Sequence, residues 1–171
     1  ESGCGKTTFM HMLCGMRRDY QGEVLLDDRK ARTLSSSDWA TLRAERLGLV
    51  FQDLRLFLDL TTRENLALLP VREQECPKTE EMAERLGMTA YLDRPCGKLS
   101  HGQRQRIAVM RVLRRPFEFL LLDEPFSHLD DSNVQAMTSL IEEEVERRGA
   151  GLILASLEED GPFQDLRLLR F

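Results

Sequence analysis

The chain has 171 residues, enough for one domain with a substantial core. Hydrophobic residues make up 42% and charged residues 31%, and a net charge of -5 with 24 dispersed basic residues argues against nucleic acid as a partner. No apolar run approaches ~20 residues, so no membrane-spanning helix is expected. The four cysteines (Cys4, Cys14, Cys76, Cys96) lack C-x-x-C spacing, which argues against zinc and for reduced thiols.

The chain opens on Glu1-Ser2-Gly3-Cys4-Gly5-Lys6-Thr7-Thr8. This fits the end of the phosphate-loop pattern G-x-x-x-x-G-K-[ST], with its leading glycine falling before residue 1. Backbone N–H groups from Ser2 to Thr8 would wrap phosphate oxygens, and Gly3 and Gly5 have no Cβ to obstruct them. Lys6 supplies a cation for the terminal phosphates, and the Thr7 hydroxyl is a hard oxygen ligand for Mg²⁺. Such a loop ordinarily follows a strand. None precedes it here, so the chain is read as starting inside its domain, with N-terminal strands missing.

Phe9, Met12, Leu13 and Met16 recur at helical spacing and predict a helix from Thr7 to about Met16. Glu23 to Asp27 reads as a strand, with a turn at Asp27-Asp28. Ser35-Ser36-Ser37-Asp38 is an N-cap cluster for a helix over Trp39–Arg46. Leu47 to Phe51 is a buried strand that Gln52 ends. Leu54 to Leu60 is apolar and irregular. Thr61 and Glu64 form a capping-box pattern for the next helix, which Pro70 ends. After a polar linker, Val71 to Cys76, a further helix carries Met82, Ala83 and Leu86 and stops at Gly87. Tyr91 and Leu92 belong to a short helix before the Arg94-Pro95 turn.

Leu99-Ser100-His101-Gly102-Gln103 reads as a polar turn before a basic, helix-favouring segment, Arg104 to Arg115. The run Phe119 to Leu122 is short and continuously apolar, as in a strand buried on both faces of a parallel sheet, and it ends in Asp123-Glu124-Pro125. Carboxylates at that end sit where open α/β sheets place their ligands. Asp130 or Asp131 caps a helix to about Arg148, striped by Val134, Met137, Ile141 and Val145. Its pairs Glu143–Arg147 and Glu144–Arg148 predict a solvated charged face. Strands are expected at Leu152–Ala155 and Leu166–Leu169.

A Gly-Lys-Thr loop followed by an apolar run ending in Asp-Glu resembles the ATP-binding cassette (ABC) ATPases. Leu99 to Gln103 is similar to the family signature LSGGQ, Phe119–Glu124 to its Walker B strand, Ser127-His128-Leu129-Asp130 to its D-loop and Phe51-Gln52-Asp53 to its Q-loop. The wording from Arg43 to Leu66 resembles the lipoprotein-releasing and macrolide-efflux cassettes. The resemblance implies one α/β P-loop domain over residues 1–171, with a mostly parallel core sheet, a β-rich edge and a helical subdomain inserted at about 54–115. It also implies that an N-terminal β-subdomain with an adenine-stacking aromatic is absent from the chain.

By the same resemblance the ligands are ATP and Mg²⁺. Glu124 is the general base, Asp123 and Gln52 join Thr7 around the metal, and Gln52 also reaches the attacking water. Ser100, Gly102 and Gln103 act on the ATP of a second cassette, homo- or heterodimeric. Membrane subunits dock near Phe51–Leu69, where Leu56, Phe57 and Leu58 offer an apolar groove, and the protein is expected at the cytoplasmic face of the membrane. Two residues depart from the pattern. His101 replaces the first signature glycine, a position that tolerates larger residues in the family. Leu157 stands where the family has a switch histidine, and the C-terminal segment has none. Leucine cannot hydrogen-bond a γ-phosphate, so an ATP-dependent regulatory cassette with little hydrolysis is the alternative. DNA-repair and chromosome-maintenance cassettes need long coiled-coil or zinc insertions, whereas residues 52–99 hold only a compact helical segment without heptads. Translation-factor cassettes usually come as two in one chain.

Overall fold

The computed structural model describes residues 5–68, 76–156 and 161–163. Three parallel strands form its centre: β3 (Leu47–Val50), β4 (Phe119–Asp123) and β5 (Gly151–Ala155), with β4 in the middle. Leu120, Leu121, Leu122 and Asp123 of β4 are all 3% exposed or less, which is why the run reads as continuously apolar. Alternate side chains enter opposite cores. Leu120 and Leu122 pack with the helical side of the molecule, whereas Leu121 packs with Met10, Cys14, Trp39 and Ala155.

On the Leu121 side lie α1 (Lys6–Leu13) and α2 (Ser36–Glu45). Helix α1 ends three residues earlier than its apolar spacing predicts, because Gly15 adopts φ +71 and the amide of Met16 turns back to the carbonyl of His11. The strand expected over Glu23–Asp27 shortens to β1 (Leu25–Leu26), which pairs antiparallel with β2 (Arg29–Lys30). Asp27 and Asp28 make the predicted turn at φ +48 and +61. Tight hairpin turns need such left-handed residues, and Asp tolerates them.

The other side holds α3 (Thr62–Ala67), α4 (Thr79–Arg85), α5 (His101–Leu113) and α6 (Asp131–Arg148). Leu66, Met82, Leu86 and Met88 share one hydrophobic cluster with Ile107, Leu120, Leu122, Met137 and Ile141, so this helical segment packs onto the sheet without a break. Helices α2, α3 and α5 each begin with a reciprocal capping box, from Ser35/Asp38, Thr61/Glu64 and Ser100/Gln103. The third replaces the turn expected at Leu99–Gln103, since Ser100 and Gln103 satisfy each other's amides and let the helix start at His101.

The charged face expected on α6 is also different. Glu144 is 5% exposed and receives both Arg147, at 2.7 Å, and Arg148, at 2.8 Å, while Glu143 pairs across to Arg85 of α4. Glu144 lies one turn from Leu140 and Ile141, on the face that enters the core. Pro70, residues 71–75, Leu157 and the strand expected at Leu166–Leu169 lie outside the described residues.

Candidate functional site

The N-terminus of α1 and the C-terminal ends of the parallel strands meet at one edge. Gly5 caps α1 at φ +97, ψ 2, a left-handed conformation suited to glycine, and supplies no side-chain cap to the first amides of the helix. Among the described residues a Cβ added to Gly5 would meet nothing within 4 Å. Lys6, Thr7 and Thr8 follow in the first helical turn, with their positive helix end toward that space. Ser2, Gly3 and Cys4 lie outside the described residues.

Lys6 Nζ stands 3.7 Å from Glu124 Oε1, with the two side chains 20% and 14% exposed. Glu124 leaves β4 at φ +50, and its amide donates to the carbonyl of Ala155 at 2.9 Å. Asp123, the last residue of the strand, is 3% exposed. Its Oδ1 is buried without a hydrogen-bond partner among the described residues. A buried carboxylate oxygen without a hydrogen-bond partner among the described residues suits a hard cation, because a divalent ion satisfies lone pairs left bare. Thr7 and Asp123 therefore fit Mg²⁺ in donor chemistry.

Gln52 reaches the same edge by register. Val50 pairs with Leu122, and Gln52, exposed two residues further on, leaves the sheet beside the Asp123–Glu124 corner. Phe51 before it packs under the Arg55 guanidinium, 3.6 Å from the ring centroid. The apolar trio after it divides. Phe57 and Leu58 are 60% and 48% exposed, but Leu56 packs against the core.

The signature-like residues form a separate group. Ser100 and Gln103 spend their side chains on the capping box, each bonding the other's amide. Gly102 sits against the turn after β4: a Cβ there would lie 2.9 Å from Leu129 Cδ2 and 3.0 Å from the His128 carbonyl. His101 lies against His128, ring centroids 4.6 Å apart. Burial lowers the pKa of His101, and His128 and Arg104 lower it further.

Three residues absent from the sequence-based site complete the surroundings. Gln105 donates to Ser127 Oγ at 2.8 Å, and Arg106 donates to the Leu86 carbonyl at 2.7 Å and to Asn133 Oδ1 at 2.6 Å. Gln105 lies on the stripe of Ala108, Val109 and Val112 at i+3, i+4 and i+7, all buried. A polar residue on an apolar stripe was the available signal. Arg106 and Asn133 carry no such mark.

Residues 1–127 match the family model described as ABC transporter. The thiamine import ATP-binding protein ThiQ of Vibrio vulnificus is 36% identical over 160 residues, covering 91% of this chain and 66% of that protein. ThiQ of Haemophilus influenzae is 38% identical, with 91% and 72% covered. The lipoprotein-releasing system ATP-binding protein LolD of Buchnera aphidicola is 32% identical over 146 residues, covering 82% of this chain and 64% of that protein. The chain thus spans about two thirds of the length of these relatives. Among solved structures, a dimeric post-hydrolysis state of the ATP-binding cassette MJ0796 bound to ADP and Pi superposes with a TM-score of 0.77 at 26% identity, covering 92% of this chain and 72% of that one.

Proposed function

Because the chain belongs to the ABC transporter family, we propose that it binds and hydrolyses ATP as the motor subunit of a membrane transport or mechanotransmission complex. The observation that carries this reading is the group at the sheet edge: Lys6 against Glu124, beside the unpaired buried oxygen of Asp123 and the N-terminus of α1.

Each residue then has a task. The amides of residues 2–8 and Lys6 hold the phosphates. Thr7, Asp123 and Gln52 hold Mg²⁺, which when bound neutralises phosphate charge. Glu124 accepts the proton of the water that attacks the γ-phosphate. Lys6 stands within 4 Å of that carboxylate, close enough to serve both it and the phosphates.

Ser100, Gly102 and Gln103 belong to a second site. In a head-to-tail pair of cassettes, the first turn of α5 from one copy would face the ATP of the other. Residues 1–171 are one cassette domain in this reading, with 54–115 as its helical subdomain. Membrane subunits dock on the side of Phe57 and Leu58, the exposed apolar pair after Gln52. Among the described residues no helix is long and apolar enough to cross a membrane, so the reading places the chain at the cytoplasmic face through those subunits.

The test is ATP turnover by the full-length protein beside Lys6→Ala and Glu124→Gln. Lys6→Ala should lose nucleotide affinity. Glu124→Gln should keep it while turnover falls by at least ~100-fold. Turnover insensitive to both changes refutes the reading. Leu157, lacking a hydrogen-bonding group, favours one second reading, a cassette that dimerises on ATP but hydrolyses it slowly.

A further inference from the structure

We infer that Gln105 is a positioning residue for the hydrolytic carboxylate, acting through a clamp on the backbone of Glu124. The inference rests on the reading of Glu124 as the base.

Glu124 is a non-glycine residue at φ +50, a conformation that persists only where the surroundings hold it. Its peptide groups are held on both sides. The amide donates to Ala155 of β5 at 2.9 Å. The carbonyl accepts from the Ser127 hydroxyl at 3.1 Å and lies 3.4 Å from Gln105 Nε2. A serine hydroxyl has one hydrogen. With that hydrogen given to Glu124, the 2.8 Å contact between Gln105 Nε2 and Ser127 Oγ has the amide as donor. In this orientation the Gln105 amide nitrogen faces both the Ser127 hydroxyl and the Glu124 carbonyl.

Gln105 is 1% exposed, buried between the turn after β4 and His101. A side chain serving packing alone at this position would be apolar, like Ala108 and Val109 on the same stripe. Glutamine instead carries an amide into this buried stripe and sets its Nε2 against residues 124 and 127. The helix that carries it is anchored independently, by Arg106 to the Leu86 carbonyl and to Asn133 of α6. Gln105 thus fixes Glu124 relative to α5, the helix whose first turn carries Ser100 and Gly102. A shift of that first turn against a second copy's nucleotide is passed through the clamp to the copy's own carboxylate.

The experiment uses the full-length protein and Gln105→Met, which keeps the side-chain volume and removes both donors. The expected result is a fall in kcat of about tenfold or more, with KM for ATP and the melting temperature unchanged. In a Glu124→Gln background the same change should add no further loss. The second readout needs no turnover: the ¹³C carboxyl resonance of Glu124, assigned by its loss in Glu124→Gln, should move in Gln105→Met. Parent-like kcat, a loss accompanied by a lower melting temperature and a raised KM, or an unmoved Glu124 resonance overturns the inference. Should Gln105→Met not fold, Ser127→Ala breaks the same clamp from its other end and is read in the same way. A parent protein that does not hydrolyse ATP refutes the proposed function, and the resonance then decides the clamp by itself.

Discussion

Asp123 and Glu124 are neighbours in sequence but occupy different environments, because the backbone changes hand between them. Asp123 keeps the strand conformation and stays 3% exposed with an unpaired Oδ1, whereas Glu124 turns out at φ +50 toward Lys6. The two carboxylates can therefore be separated by experiment. Asp123→Asn preserves shape and removes charge from the position that suits a cation. The Mg²⁺ concentration giving half-maximal turnover should rise ~10- to 100-fold, with the ATP requirement changed much less. A Mg²⁺ titration at fixed ATP checks it. An unchanged titration would remove Asp123 from the metal's surroundings and leave its bare oxygen without a role.

At the scale of elements, α6 shows how much a single buried carboxylate can hold. Glu144 binds Arg147 and Arg148, and Arg148 continues to the carbonyls of Leu113 and Arg115 while its guanidinium lies 4.3 Å from the centre of the Phe117 ring. Helix α6 is thereby tied to the end of α5 and the entry to β4. Burial raises the Glu144 carboxyl, but the hydrogen bonds from Arg147 and Arg148 outweigh it, and the net direction is downward from 4.5. A carboxylate lowered in the folded state contributes stability that is fully present above its unfolded value and lost as pH falls through the folded one. Glu144→Ala should therefore destabilise by about 3 kcal/mol at pH 7, since Arg148 is left largely buried without its partner. The difference from the parent should shrink as pH falls below about 4.5 in urea melts. An equal loss at both ends of the range would assign the effect to packing.

What was legible in the sequence at this scale follows from range. Capping is decided within four residues, so Ser35/Asp38 and Thr61/Glu64 could be seen in the chain itself. Ser100/Gln103 obeys the same rule with Gln in place of an acid, and the intervening glycine made it read as a turn. The parallel strands were visible because burial on both faces demands continuous apolar runs. The destination of Glu143 was not, since its partner Arg85 is 58 residues away. Glu144 and Gln105 had a local sign, each being a polar residue on an apolar helical stripe; the Glu144–Arg148 pair was legible at i,i+4 and its burial was not, while the partners of Gln105 come from the turn after β4.

Over the whole molecule, the proposed function divides its working parts between two places on one chain. Lys6 and Glu124 meet at the sheet edge, with Asp123 preceding Glu124, while Ser100 and Gly102 stand on the first turn of α5, against the turn after β4. A head-to-tail pair would bring each group to the other's complement, and ATP would be the shared ligand between them. If hydrolysis opens the pair, blocking hydrolysis while sparing binding should accumulate it. Glu124→Gln with ATP and Mg²⁺ should therefore elute as a dimer in size-exclusion chromatography and return to monomer when the nucleotide is removed, whereas Lys6→Ala should stay monomeric under all conditions. Leu157→His adds the last distinction. If the missing imidazole limits the chemical step, this change should raise turnover in the parent by about tenfold or more and leave the Glu124→Gln dimer intact. A parent that already turns over at the rate of Leu157→His would mean that Glu124, held by its backbone contacts to Ala155 and Ser127, suffices without it.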